Sequence, residues 1–191
     1  MDFNALCLGC RTYRRFERKE IPEEILTELL ENARVANSVM NGQVLRYVLV
    51  KSQETVKKLQ PYFHFAAALP KELGQPKEGE QPAAFIILCT EGPETPWTGI
   101  DIGIAVRTMN LNAYIHGVGS CIIGNVEFEK VKEILSIPET WIPRLALALG
   151  YPSHKSTIVE LPEDGSVKYY LDEERQYYVP KRKRKDISII R

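Results

Sequence analysis

The chain has no apolar run approaching the roughly 18 residues that a membrane-spanning helix needs, and no basic stretch leading into an apolar one at its start, Met-Asp-Phe-Asn. Together these absences point to a cytoplasmic protein. Cysteine is scarce: Cys7, Cys10, Cys89 and Cys121 are too few and too irregularly spaced to frame a disulfide scaffold in 191 residues, so reduced thiols are expected. Histidine is scarcer still. His64, His116 and His154 stand singly, which leaves Cys7-Leu8-Gly9-Cys10 without the two further ligands zinc would need. That pair also precedes an arginine-rich turn instead of opening a helix after a strand, the setting a thioredoxin-like motif requires. A dinucleotide fingerprint is missing, because Gly117, Gly119 and Gly124 follow a helical pattern and Ile122 stands where the third glycine belongs. There is no phosphate loop of the G-x-x-x-x-G-K-[ST] type, no internal repeat, and no linker long enough to divide the chain.

What is present is an ordinary globular composition, 44% hydrophobic and 26% charged, ample for one core over residues 1–191. The formal net charge of zero hides an uneven distribution: 181–191 carry six basic residues and one acidic, leaving the first 180 with 19 basic against 24 acidic. A second basic group, Arg11, Arg14, Arg15, Arg18 and Lys19, lies near the start. Two basic clusters on a mildly acidic body suggest an anion held by both ends of the chain. The tail Lys181-Arg182-Lys183-Arg184-Lys185 also admits a nucleic-acid reading, but the rest of the chain offers neither a basic stripe nor interleaved aromatics. Apolar residues on both sides of it, Tyr177 to Val179 and Ile187 to Ile190, suggest a docked arm instead.

Periodicity predicts a helix over about 21–36, opened by Pro22 with Glu23 and Glu24 at its positive end and carrying Ile25, Leu26, Leu29, Leu30 and Ala33 on one face. A polar connection follows over 37–45, then a β-branched strand near 46–51. A short helix over 53–60 leads into a proline- and glycine-rich loop or lid over 61–82 with at most one helical turn. An apolar strand over 83–89 is followed by a helix over about 100–115, apolar on most sides as a central or interfacial helix would be. An extended glycine segment over 117–124, a small amphipathic helix over 127–135 and a strand over 143–150 complete the body. The last stretch, about 166–191, reads as an extended C-terminal arm. Helices and strands intermixed in this way imply an α/β or α+β domain around a central sheet.

Four pieces, in order, resemble the FMN-dependent nitroreductase family: Arg11-Thr12-Tyr13-Arg14-Arg15-Phe16, Ile21-Pro22-Glu23-Glu24, Ala33-Arg34-Val35-Ala36-Asn37-Ser38 with Asn41-x-Gln43, and Gly119-Ser120-Cys121-Ile122-Ile123-Gly124. Lys77-Glu78-Gly79-Glu80, Leu147 to Pro152 and Val179-Pro180-Lys181-Arg182 extend the resemblance over nearly the whole chain. It implies an α+β fold with a central mixed sheet flanked by helices, and an intertwined homodimer with FMN in clefts at the subunit interface.

The resemblance also implies site residues. Arg11 and Thr12, with Lys181 and Arg182, match positions that hold the flavin phosphate and ribityl chain, where the guanidinium fork suits phosphate oxygens. Arg14 or Arg15 would lie nearer the ring. Ser38, Asn41 and Gln43 match a loop that hydrogen-bonds the flavin, in part across to the partner's cofactor, and Ile123 and Gly124 match the turn whose backbone N–H points at flavin N5. The sequence departs from the family at Cys10, Asn37, Val39, Met40 and Val44, so the loop over the flavin is reshaped. The activity implied is passage of electrons from NADH or NADPH through FMN to a small acceptor such as a nitroaromatic or quinone, with no catalytic side chain required because the chemistry resides on the flavin. Dehalogenation, dehydrogenation, or flavin binding without turnover are the alternatives within the same resemblance.

Overall fold

The apolar strand expected at 83–89 forms the middle of the molecule. In the computed structural model, which describes residues 2–191, it runs as β2 (Ala84–Glu91) and is buried along almost its whole length. Its alternation sets the architecture, because Ile86 and Leu88 enter one core while Phe85, Ile87 and Cys89 enter another. A strand apolar on both faces has to be covered on both. On the first side lie α2 (Glu23–Val35), through Leu26 and Leu29, and α5 (Thr98–Ile115), through Val106 and Met109. On the second lie α3 (Gln53–Leu59) and α6 (Phe128–Leu135), through Val56, Leu59 and Val131.

Four strands make the main sheet, in the order β1 (Leu45–Val50), β2, β4 (Trp141–Gly150), β3 (Gly119–Ile123). The α+β class holds, but all three pairings are antiparallel, so this sheet is not mixed in the way the resemblance implied. The reason lies in the connections: those through α3 and through α6 return the chain to the end it left, so β1 and β2, and β3 and β4, run oppositely. Only α5 is a crossover, and the two strands it joins are separated by β4. Mixed pairing occurs instead in a small second sheet, where β7 (Tyr177–Lys181) pairs parallel with β5 (Ser156–Glu160) and antiparallel with β6 (Tyr170–Leu171).

The helix expected over 21–36 is α2, with Pro22 as its N-cap and both glutamates in its first turn. Two elements were not anticipated: α1 (Phe3–Gly9), which starts on an Asp2 carboxylate accepting from the Ala5 N–H at 2.9 Å, and β5, whose alternation is too polar to stand out. Within 61–82 there is a single turn of helix, α4 (Lys71–Gly74). The start of that segment is not a surface excursion, since Phe63 and Phe65 are buried and Phe63 stacks on Phe85 with centroids 4.3 Å apart. None of the described helices is long and apolar enough to cross a membrane.

The ends of β3 and β4 carry a feature that positions the site. Gly119 and Gly150 are register partners. A Cβ on Gly150 would come within 2.7 Å of the Phe16 ring, and one on Gly119 within 2.7 Å of the Tyr13 ring and 2.6 Å of Pro152. The two missing side chains leave a trough into which residues 12–16 lay their aromatic rings. Gly150→Ala is therefore expected to cost about 1–3 kcal/mol by overpacking, seen as a lower urea midpoint at unchanged slope. An unchanged midpoint would mean that Phe16 has room to yield.

Candidate functional site

Residues 12–16 run extended along that trough. Thr12 forms a parallel bridge to Ser120, and the Tyr13 N–H donates to the Ser120 carbonyl at 2.9 Å. Phe16 bridges Pro152, and the Ser153 N–H donates to the Arg15 carbonyl at 3.1 Å. In an extended stretch successive side chains leave in different directions, and the neighbouring arginines are separated accordingly. The Arg14 guanidinium lies over the rings of Tyr169 and Tyr177, 4.5 and 4.9 Å from their centroids. Arg15 turns away and is buried, donating to the Arg175 carbonyl beside the ion pair that Arg175 makes with Glu80 at 2.9 Å.

Arg14 is held from behind by His154. The Arg14 backbone N–H donates to His154 Nε2 at 3.0 Å, so that nitrogen carries no proton, and Nδ1–H donates to the Lys155 carbonyl at 2.9 Å. Burial, opposed by the Lys155 bond and aided by Arg15, Arg14 and Arg175, pushes the imidazole pKa down to about 4. The ring is thus a neutral spacer among cations.

In front of Arg14 lie two cavities of about 400 and about 200 Å3 that share Arg14, Ile122 and Tyr169 in their walls and so adjoin as the two parts of a cleft. The larger is walled by α5 and the chain ends and holds Arg11, Thr12, Arg107, Asn110, Ser120 and Lys181. The smaller is lined by Phe65, Ile123, Gly124 and Asn125, with His64 at its edge. No carboxylate among the described residues lines either cavity. Arg11 donates to the Cys7 carbonyl at 2.7 Å, yet its Nε, like that of Arg14, is buried without a partner. Arg107 donates to the Cys10 sulfur at 3.6 Å, and burial raises that thiol so that it stays neutral. Cationic side chains without a carboxylate line one cavity and mostly apolar ones the other, so the cleft fits a ligand with an anionic group at the Arg11 end and an apolar portion at the Gly124 end.

Of the residues singled out from sequence, Arg11, Thr12, Arg14, Ile123, Gly124 and Lys181 are brought together in this cleft. Arg15 is not, for the reason given above. Arg182 follows Lys181 in the chain but lines neither cavity. Ser38 and Gln43 lie in a different hollow, beside Asp101 and Arg46. There the buried Asp101 carboxylate accepts from Ser38 Oγ at 3.0 Å and from the Val39 N–H at 2.7 Å, while Ser38 Oγ accepts from the Gln43 N–H at 2.9 Å. This pinned loop carries three non-glycine residues at positive φ, Met40, Asn41 and Gln43, with Met40 89% exposed. The sequence reading missed Arg107, Tyr169 and His154. Arg107 left a signal, being with Asp101 one of two charged residues in an otherwise uncharged α5.

Comparisons with known proteins agree with this architecture. The profile of the Nitroreductase family matches residues 9–151, and the chain belongs to that family. It is 27% identical to an NADH dehydrogenase of Thermus thermophilus over 183 residues, 81% of this chain and 89% of that protein. It is 26% identical to an FMN reductase (NADPH) of Bacillus subtilis over 162 residues, 78% of this chain and 65% of the other. Among solved structures, a nitroreductase family protein from Streptococcus pneumoniae superimposes with a TM-score of 0.69 at 19% identity, covering 87% of this chain and 99% of that one.

The His154 geometry sets a pH dependence. Its folded pKa, about 4, lies below the ordinary 6.5, so the unfolded chain binds the extra proton between those values. The stabilisation is complete above about pH 6.5 and is lost as pH falls toward 4, at about 1.4 kcal/mol per pH unit. His154→Asn is expected to flatten that part of the stability profile, and NMR titration of the wild-type ring is expected to give a midpoint near 4. A ring that titrates above pH 6 would contradict the neutral-spacer role.

Proposed function

We propose that the cleft holds FMN, with its phosphate at Arg11, Arg107 and Lys181 and its ring at Ile123 and Gly124, and that the chain is a cytoplasmic, homodimeric NAD(P)H oxidoreductase. The observation that carries this is the gradient along the cleft: cationic side chains without a carboxylate at one end, apolar side chains and open backbone at the other. Relatives named as an FMN reductase and an NADH dehydrogenase support the same reading. When bound, FMN supplies hydride acceptance from NADH or NADPH and delivery of the electrons to a small organic oxidant such as a quinone or nitroaromatic.

The chain's own residues bind and orient. Arg11, Arg14, Arg107 and Lys181 line the cleft and would hold the ligand's anionic group. Arg14, clamped by two tyrosine rings and the His154 bond, would present a preorganised positive charge to the ligand and so favour its reduced, more negative form. Gly124, where an added Cβ meets nothing within 4 Å, keeps the backbone open toward the ring. Ser38, Asn41 and Gln43, pinned away from their own chain's cleft, act toward a second copy, as does Arg182 in the arm over 166–191. Exposed Ile187, Ile189 and Ile190 on that arm, and Ile100 and Ile115 on α5, 47% and 60% exposed, are the surface such a copy covers. The segment 61–82 shapes the acceptor end through Phe65 and His64.

Visible absorbance of the purified protein, followed without oxygen as NADH and then NADPH are added, tests the reading. Flavin that bleaches with either nucleotide supports it; flavin that does not bleach favours binding without turnover. Arg11→Ala and Lys181→Ala are each expected to weaken FMN by about 10- to 100-fold, on the order of 1.5–3 kcal/mol for a hydrogen bond to a charged group, and riboflavin far less. Equal loss for both flavins would remove phosphate from that end.

A further inference from the structure

Residues 62–65 run antiparallel to 125–127. The Glu127 N–H donates to the Tyr62 carbonyl and the His64 N–H to the Asn125 carbonyl, both at 3.0 Å, and Phe63 bridges Val126. Along such a stretch side chains alternate. Phe63 and Phe65 are driven into the core, so His64 between them is left at the edge of the smaller cavity, beside Ile123 and Gly124. Its Nε2 sits 3.4 Å from Glu127 Oε1, and among the described residues Nδ1 has no hydrogen-bond partner. Arg14 and Tyr169 line the same cavity, and Glu127 is about half exposed to water. An imidazole that lines a cavity, with one nitrogen near a carboxylate and the other without a partner, is the arrangement of a general acid.

We propose that His64 donates a proton to a one-ring quinone reduced in this cleft, with Glu127 orienting the imidazole and offsetting its charge. The proposal rests on the oxidoreductase reading above. A quinone that has taken two electrons and one hydrogen nucleus from that activity is a hydroquinone monoanion, one proton short. The His64 Nδ1–H bond breaks and the second O–H of the hydroquinone forms; the ring, left neutral, keeps its Nε2–H toward Glu127 and regains the Nδ1 proton from water once the product has gone. An acceptor that takes electrons without protons has no use for this step.

The test compares wild type and His64→Gln after reduction by NADH or NADPH, reoxidised either by tetramethyl-1,4-benzoquinone, which cannot alkylate thiols, or by ferricyanide, which accepts no proton. The ratio of quinone rate to ferricyanide rate is expected to fall on the order of 100-fold in the variant, and a ratio within twofold of wild type would overturn the proposal. Independently of turnover, the His64 ring signals of the oxidised, 15N-histidine-labelled protein, assigned by their loss in His64→Gln, are expected to shift when the same quinone is added. Unmoved signals would also overturn it. A protein that takes up no FMN would remove the oxidoreductase reading and this one together, whereas flavin that bleaches normally beside an unchanged ratio would remove only the role of His64.

Discussion

The close approach of residues 12–16 to the paired Gly119 and Gly150 is the constraint on which the rest of the site depends. Because no side chain stands at either position, the segment can share hydrogen bonds with the edge of β3 and with the turn after β4, and its backbone is fixed at both ends. Fixing the backbone decides where the two arginines go. Arg14 faces the cleft and Arg15 is consumed inside the fold, so adjacent residues of one type serve unrelated purposes. A side chain at either glycine would move a whole segment, which is why two residues without functional groups matter as much here as the charges they position.

A second constraint follows from gathering Arg11, Arg14, Arg107 and Lys181 around one cleft. Like charges at this separation repel, and the fold tempers that by several local means: a carbonyl for Arg11, a sulfur for Arg107, aromatic faces for Arg14, and a histidine kept uncharged at the point of greatest crowding. None of these partners is a carboxylate, so none cancels the positive potential of the cleft. The ion pair of Arg175 with Glu80, by contrast, lines neither cavity.

The sequence made the elements with strong periodicity or long apolar runs readable. α2 follows from a helix stripe, whereas α5, β2 and β4 follow from apolar runs that have to be buried on most sides. α1 is too short for either signal, and β5 pairs with β7 through backbone bonds that leave no pattern in the side chains. Strand direction was also out of reach, since a helix between two strands does not say at which end the chain re-enters. Of the site, Arg11 and Arg14 were visible as a cluster, and Lys181 as the start of a tail. Arg15 could not be told from Arg14, because that distinction arises from the extended backbone. His154 and Tyr169 were invisible because their part in the site comes only from folding residues more than 100 positions apart against Arg14.

The cleft is walled by α5 from mid-chain, by residues 10–14 from near one terminus and by Tyr169, Val179 and Lys181 from near the other. A ligand lodged there works as a clasp between segments far apart in the sequence, Cys10 to Arg14 on one side and Tyr169, Val179 and Lys181 on the other. Occupancy at 100 times the dissociation constant adds about 2.7 kcal/mol to the folded state, and that increment is lost when the two segments part.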